Sequence, residues 1–122
     1  MNRILVVEDE ADLAVTYDRL LRRHGYRVVT AASRVEGLKA ISSAPPALVI
    51  ADLRLPDGNG LDIIQAARAR EPKIPVIVVT AFASRAASDA ALASGAAAFL
   101  AKPFPASALL RLVHDELERS TH

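Results

Sequence analysis

The sequence predicts an α/β fold, a three-layer (βα)5 sandwich built on a parallel five-stranded sheet. Three observations carry this expectation. Five short apolar runs alternate with five stretches of helical periodicity along the 122 residues. The runs are apolar without interruption, as strands covered on both faces must be. Most of them also stop abruptly on a charged or hydroxyl-bearing residue at the mouth of a turn. Alternation of this kind means parallel strands joined by crossover helices. Right-handed crossovers leave few topologies. For five strands the expected order is 2-1-3-4-5, with a switch point between strands 1 and 3.

Each element has a local reason. Ile4-Leu5-Val6-Val7 forms the first strand and ends in acids. From Ala11, the residues Leu13, Ala14, Tyr17, Leu20 and Leu21 recur at helical spacing, and His24-Gly25 closes that helix with glycine in a left-handed cap. Val28 to Ala31 is the second strand. Ser33-Arg34-Val35-Glu36 has the capping-box pattern and starts a helix to about Ser43, which Pro45-Pro46 ends. Ala47 to Asp52 is the third strand. After a Pro/Asp/Gly/Asn/Gly turn, Asn59 caps a helix carrying Leu61, Ile64 and Ala67 on one face.

The second half is rich in alanine, which favours helix but buries little area. Pro72 and Pro75 precede the fourth strand, Val76 to Thr80. Ser84 to Ser94 is a helix with Leu92 as its only large apolar side chain, and Gly95 stops it. Ala97 to Ala101 is the fifth strand, followed by Lys102-Pro103. Pro105 suits the first turn of a last helix, which buries Leu109, Leu110, Val113 and Leu117.

Composition narrows the function. The length fits one domain over residues 1–122, long enough for a core without staples. With no cysteine there is neither a disulfide frame nor a thiolate site. The net charge is +1, and no basic patch or polybasic tract argues for nucleic acid or anionic lipid. No apolar segment reaches membrane-spanning length, and the start lacks the pattern of a signal peptide, so the expected location is the cytoplasm.

The predicted order lines up the ends of strands 1, 3, 4 and 5. They bring Glu8 and Asp9, Asp52, Thr80 and Lys102 to one edge, where ligands collect in such sheets. Singly, each has an ordinary reading: Glu8 and Asp9 complement a helix dipole, Asp52 caps a turn, Thr80 fills a strand, and Lys102 is solvated. Together they crowd. Two carboxylates ~4 Å apart repel by roughly 4 kcal/mol at an effective dielectric of ~20. Three require cations. Lys102 is one, and a hard divalent ion with oxygen ligands, magnesium above all, is the natural second. Such a site invites a phosphoryl group onto Asp52, with Lys102 and Thr80 meeting the incoming oxygens.

The chain resembles the receiver domain of bacterial two-component response regulators over nearly its full length. Four stretches carry the resemblance, in order and at the right spacing: Val6 to Glu10, Asp52 to Gly60, Thr80-Ala81, and Gly95 to Phe104. The implied fold is flavodoxin-like, and the strand order above is itself that of this family. The resemblance implies a phosphoacceptor switch, not an enzyme in the ordinary sense, that promotes its own phosphorylation and dephosphorylation. Asp52 would take a phosphoryl group from a sensor histidine kinase or a histidine phosphotransfer protein. Asp9 would bind Mg2+ directly, Glu8 through water, with Asp52 and the backbone carbonyl of Arg54 as further ligands. Lys102 would pair with the phosphoryl group. Thr80 would swing toward it and Phe99 turn inward behind, switching the surface of the fourth helix, fifth strand and last helix. Small Ala81 would leave the site open, and Phe82 and Arg54 would flank it and slow loss of phosphate. Lys102-Pro103 matches a peptide bond that is often cis in the family. A homodimer on activation is allowed; direct contact with nucleic acid or membrane is not expected.

Hydrolases of the haloacid dehalogenase type combine similar groups, but place an Asp-x-Asp nucleophile first and the acidic pair late. Here the acidic pair comes first and Asp52-Leu53-Arg54 is not Asp-x-Asp. Neither Gly-x-x-x-x-Gly-Lys nor Gly-x-Gly-x-x-Gly occurs, so no nucleotide-cradling loop is expected.

Overall fold

Branched apolar residues dominate the sheet because a strand with helices on both sides must bury both rows of its side chains. In the computed structural model, which describes residues 2–120, five such strands form one parallel sheet. They are β1 (Arg3–Val7), β2 (Arg27–Ala31), β3 (Leu48–Ala51), β6 (Val76–Thr80) and β7 (Ala98–Ala101). Their order, β2-β1-β3-β6-β7, is the expected 2-1-3-4-5 in chain order of the sheet strands. Met1, Thr121 and His122, the ends of the single 1–122 domain expected from sequence, lie outside the described residues.

Alternate side chains of each strand go to opposite faces, as a period of two dictates. Leu5, Val7, Val49, Ala51, Val76 and Val78 pack on α2 (Arg34–Ser43), α3 (Leu61–Arg68) and α4 (Arg85–Ala93) through Ile41, Ile63, Ile64, Ala67 and Ala91. Ile4, Val6, Leu48, Ile50, Ile77 and Val79 pack on α1 (Ala11–Arg23) and α5 (Ala106–Ser120) through Tyr17, Leu21, Leu109, Val113 and Leu117. Two cores on two faces make the third layer.

The helix ends follow local chemistry. Gly25 (φ +90°) and Gly95 (φ +107°) close α1 and α4 in the left-handed conformation. In both, the residue after the glycine donates back to a carbonyl five residues earlier: Tyr26 N to Leu21 O and Ala96 N to Ala91 O. Ser33 caps α2 by accepting from Glu36 N, and Glu36 accepts from Ala32 N in return. At α3 the backbone cap is Gly60, not Asn59, but the Asn59 side chain still accepts from Leu61 N at 2.8 Å.

The loop after Asp52 and the seating of α4 add detail. The turn after Asp52 is a small hairpin, β4 (Arg54–Leu55) against antiparallel β5 (Gly58–Asn59). Leu92, the one large apolar side chain of α4, is 48% exposed; the only buried residue of that helix is Ala91, in keeping with the weak docking its alanine content implies.

Candidate functional site

The site residues sit one step beyond the last paired residues of the sheet. Val7 of β1 is in register with Ala51 of β3, so the next residues, Glu8 and Asp52, emerge side by side at the switch point. Backbone bonds hold both in place: Glu8 N donates to Ala31 O at 2.9 Å, and Asp52 N to Val7 O at 3.1 Å. Thr80 of β6 pairs with Ala101 of β7, and Lys102 N donates to Thr80 O at 2.9 Å. The strand register therefore delivers an acid, an acid, a hydroxyl and an ammonium to one edge.

These groups are withdrawn from water. Glu8, Asp52 and Thr80 are 2%, 6% and 0% exposed. Lys102 spans the acidic pair, its Nζ donating to Glu8 Oε1 at 2.7 Å and to Asp52 Oδ2 at 2.9 Å. The other oxygens are also engaged: Asp52 Oδ1 accepts from Arg54 N at 3.0 Å, and Glu8 Oε2 from Glu10 N at 3.3 Å. Burial pushes the Glu8 carboxyl above the usual glutamate range, more than its bonds to Lys102 and Glu10 N pull it down. Burial also acts to lower the Lys102 ammonium, but its bonds to Glu8 and Asp52 outweigh that and hold it above the usual lysine range. A cation is thus fixed between two carboxylates that would otherwise repel.

The remaining predicted residues are placed unevenly. Thr80 Oγ1 accepts from Phe82 N at 3.2 Å. Ala81 and Phe82 are exposed, and the Arg54 guanidinium lies 3.8 Å over the centre of the Phe82 ring. The flanking pair expected from sequence is therefore in contact, a cation–π arrangement beside Asp52. Phe99 of β7 is half-buried against the core on the α2, α3 and α4 side. The Lys102-Pro103 peptide is cis, as the resemblance implied. Asp9 is exposed, and the close group is Glu8, Asp52 and Lys102.

The donors suit magnesium. They are carboxylate oxygens, and that ion takes one or two carboxylates while keeping several waters. Among the described residues no three acidic or histidine side chains converge to hold an ion. The side chains brought together are Glu8 and Asp52, with the Arg54 backbone next to them.

Three contributors escaped the sequence reading. Tyr17 stacks on Phe104 with ring centres 6.3 Å apart and planes 11° apart, and the pair walls a groove beside Lys102. Gly60 lies so close to Asp52 that a Cβ there would be 2.4 Å from the Asp52 carbonyl oxygen. Asp57 reaches across to the first turn of α2, accepting from Arg34 N at 2.7 Å and Val35 N at 3.0 Å. Those two bonds hold its carboxyl below the usual aspartate range. Only the turn composition around Asp57 and Gly60 signalled anything, and it could not name the distant partner.

Comparison with known proteins agrees with the geometry. The family model described as response regulator receiver domain matches residues 4–114. The photosynthetic apparatus regulatory protein RegA of Cereibacter sphaeroides is 35% identical over 104 residues, which cover 85% of this chain and 56% of RegA. The transcriptional regulatory protein GlrR of Escherichia coli K12 is 36% identical over 117 residues, covering 96% of this chain and 26% of GlrR. The chain thus spans between about a quarter and just over half of these relatives. The crystal structure of a CheY-like response regulator receiver domain protein from Methanospirillum hungatei superimposes with a TM-score of 0.94 at 31% identity, over 99% of this chain and 97% of that one.

Proposed function

Because the chain belongs to the response regulator receiver domain family, a family of two-component signalling domains, we propose that it is a phosphoacceptor switch acting through Asp52. The observation that carries this is the buried Glu8–Lys102–Asp52 arrangement at the switch point of the sheet. A carboxylate hydrogen-bonded to a lysine, with small, exposed Ala81 following Thr80 at the neighbouring strand end, is suited to act as a nucleophile toward phosphorus. An Asp52 oxygen would form the new bond to phosphorus as the donor's N–P bond breaks, the donor being a phosphohistidine on a kinase or phosphotransfer protein. Lys102 would transfer its hydrogen bonds to phosphoryl oxygens. The Thr80 hydroxyl, which accepts from Phe82 N, keeps its own proton to donate. When bound, magnesium would neutralise phosphoryl charge; Asp52, the Arg54 carbonyl and Asp9, its exposed side chain turned inward, would hold it directly, and Glu8 through water. The domain would span residues 1–122, with the cytoplasm as its place of work.

The readout surface we assign is α4, β7 and α5, where a homodimer could also form. The phosphoryl group adds about two negative charges at the ends of β6 and β7. Next to them lies α4, docked through Ala91 alone among its buried residues. An element with so little apolar anchorage is easily biased between two positions.

Incubation with Mg2+ and acetyl phosphate, followed by intact-mass measurement, tests the reading. The parent should gain one phosphoryl group and Asp52→Asn none, and amide exchange across Arg85–Ala93 should change only in the parent. A gain that persists in Asp52→Asn would overturn the assignment. So would no gain from small donors and a panel of phosphorylated kinases alike.

The Arg54–Phe82 pair supplies a second prediction. Its two backbone amides bond Asp52 Oδ1 and Thr80 Oγ1, which sets the stacked side chains beside the acceptor; changing both to alanine should admit water and shorten the phosphoryl half-life about fivefold, the equivalent of about 1 kcal/mol in barrier. Loss of phosphate, followed by phosphate release after the donor is removed, would show it; an unchanged half-life would rule out the shield.

A further inference from the structure

The stretch between Asp52 and α3 carries the backbone that touches the acceptor, yet it is a hairpin of only two residue pairs. So short a hairpin has no stability of its own in water. It must be held from outside. At its base, Gly60 N donates to Leu53 O at 2.7 Å and Asn59 accepts from Leu61 N. Leu55 is buried between the strands and α3. At its tip, Pro56-Asp57, the tie is to a different helix. Both carboxylate oxygens of Asp57 accept the first two N–H groups of α2, from Arg34 and Val35. The Arg34 side chain then lies along Gly58, where a Cβ would be 2.9 Å from Arg34 Cδ, and its guanidinium pairs with Asp62 of α3 at 2.7 Å.

The tie matters for Asp52 because the same hairpin fixes Arg54. Arg54 pairs with Asn59 across the hairpin, and Arg54 N donates to Asp52 Oδ1 at 3.0 Å. A hairpin tip free to move would take that donor with it and release the carboxylate from its orientation. We propose that Asp57 is a positioning residue for the phosphoacceptor: by latching the hairpin tip to the first turn of α2, it holds the Arg54 amide on Asp52 and so sets the rate of phosphoryl acceptance. This rests on the reading of Asp52 as the acceptor.

α2 supplies the control. Its first two N–H groups are capped by Asp57, but the third, from Glu36, is capped by its own Ser33. Ser33→Ala weakens the same helix end without touching the hairpin. The test compares parent, Asp57→Ala and Ser33→Ala by thermal melting, by amide exchange at Arg54, and by phosphorylation rate with acetyl phosphate and Mg2+. Both variants should melt lower. Asp57→Ala alone should exchange faster at Arg54 and accept phosphate about three- to tenfold more slowly, the scale of one lost hydrogen bond. Equal rates and equal Arg54 exchange in the two variants would overturn the latch. If the parent accepts no phosphate from any donor, the reading of Asp52 falls, and exchange at Arg54 still decides: faster only in Asp57→Ala supports the latch, unchanged refutes it.

Discussion

Lys102→Met should destabilise the protein by about 3–5 kcal/mol at neutral pH, the usual cost of stripping one partner from a buried ion pair. The substitution keeps the length of the side chain and removes its charge. Glu8 and Asp52, side chains 1% and 8% exposed, are then left facing each other with no ammonium between them. The pH dependence carries the sign. Burial already raises Glu8 above its ordinary value of 4.5. A raised acid favours the folded state below that value and withdraws the benefit as pH rises through the raised one. Losing Lys102 raises Glu8 further, so the penalty should shrink as pH falls toward that range and be full at pH 7. Magnesium should offset it, because Glu8 Oε1 and Asp52 Oδ2 no longer face an ammonium; roughly tenfold tighter binding than in the parent is expected, about 1.4 kcal/mol. Urea denaturation at several pH values, with and without Mg2+, checks each part. A variant as stable as the parent at pH 7 would mean that the carboxylates find another partner.

Gly60→Ala should be the most damaging single methyl in the molecule. At most exposed or unconstrained glycines, alanine stabilises by reducing the freedom of the unfolded chain, about 0.4–1 kcal/mol. The φ of −68° at Gly60 would permit that. Space does not. The new Cβ would stand 2.4 Å from Asp52 O and 3.1 Å from Leu53 Cα, both backbone atoms with no rotamer to yield. The strand end carrying Asp52 would have to move, at a cost of about 1–3 kcal/mol or more, and phosphoryl acceptance should fall with it. Gly25 is the contrast: its φ of +90° strains any side chain, but a Cβ there meets nothing within 4 Å. Gly25→Ala should therefore lower stability while leaving the phosphorylation rate unchanged. Urea midpoints and acetyl-phosphate rates on the two variants separate crowding at the acceptor from backbone strain far from it.

Why the sequence revealed so much of this site, and where it fell short, follows from the range of the interactions. Uninterrupted runs such as Val76 to Thr80 declare a strand buried on both faces, and parallel order then dictates which run-ends are neighbours. Glu8, Asp52, Thr80 and Lys102 were legible because each follows or ends such a run. Glu8 and Asp9 are neighbouring acids in sequence, but a strand end turns successive side chains in opposite directions, so one is buried and the next exposed. Asp57 was invisible because its partners are the Arg34 and Val35 amides, 23 and 22 residues away. Any Asp in a Pro-Asp-Gly turn looks like a local turn-former. α4 buries Ala91 and leaves Leu92 exposed, a choice of helix face that composition alone does not reveal.

That choice has an evolutionary consequence. A helix seated through a single alanine leaves Ala86, Asp89, Ala90, Leu92 and Ala93 turned to solvent. Substitutions at such positions usually change stability by less than about 0.5 kcal/mol. The face of α4 can therefore be rewritten residue by residue while the strand ends holding Glu8, Asp52, Thr80 and Lys102 stay as they are. Duplicated copies of the gene could diverge in what they recognise on this face without either copy passing through an unfolded intermediate sequence.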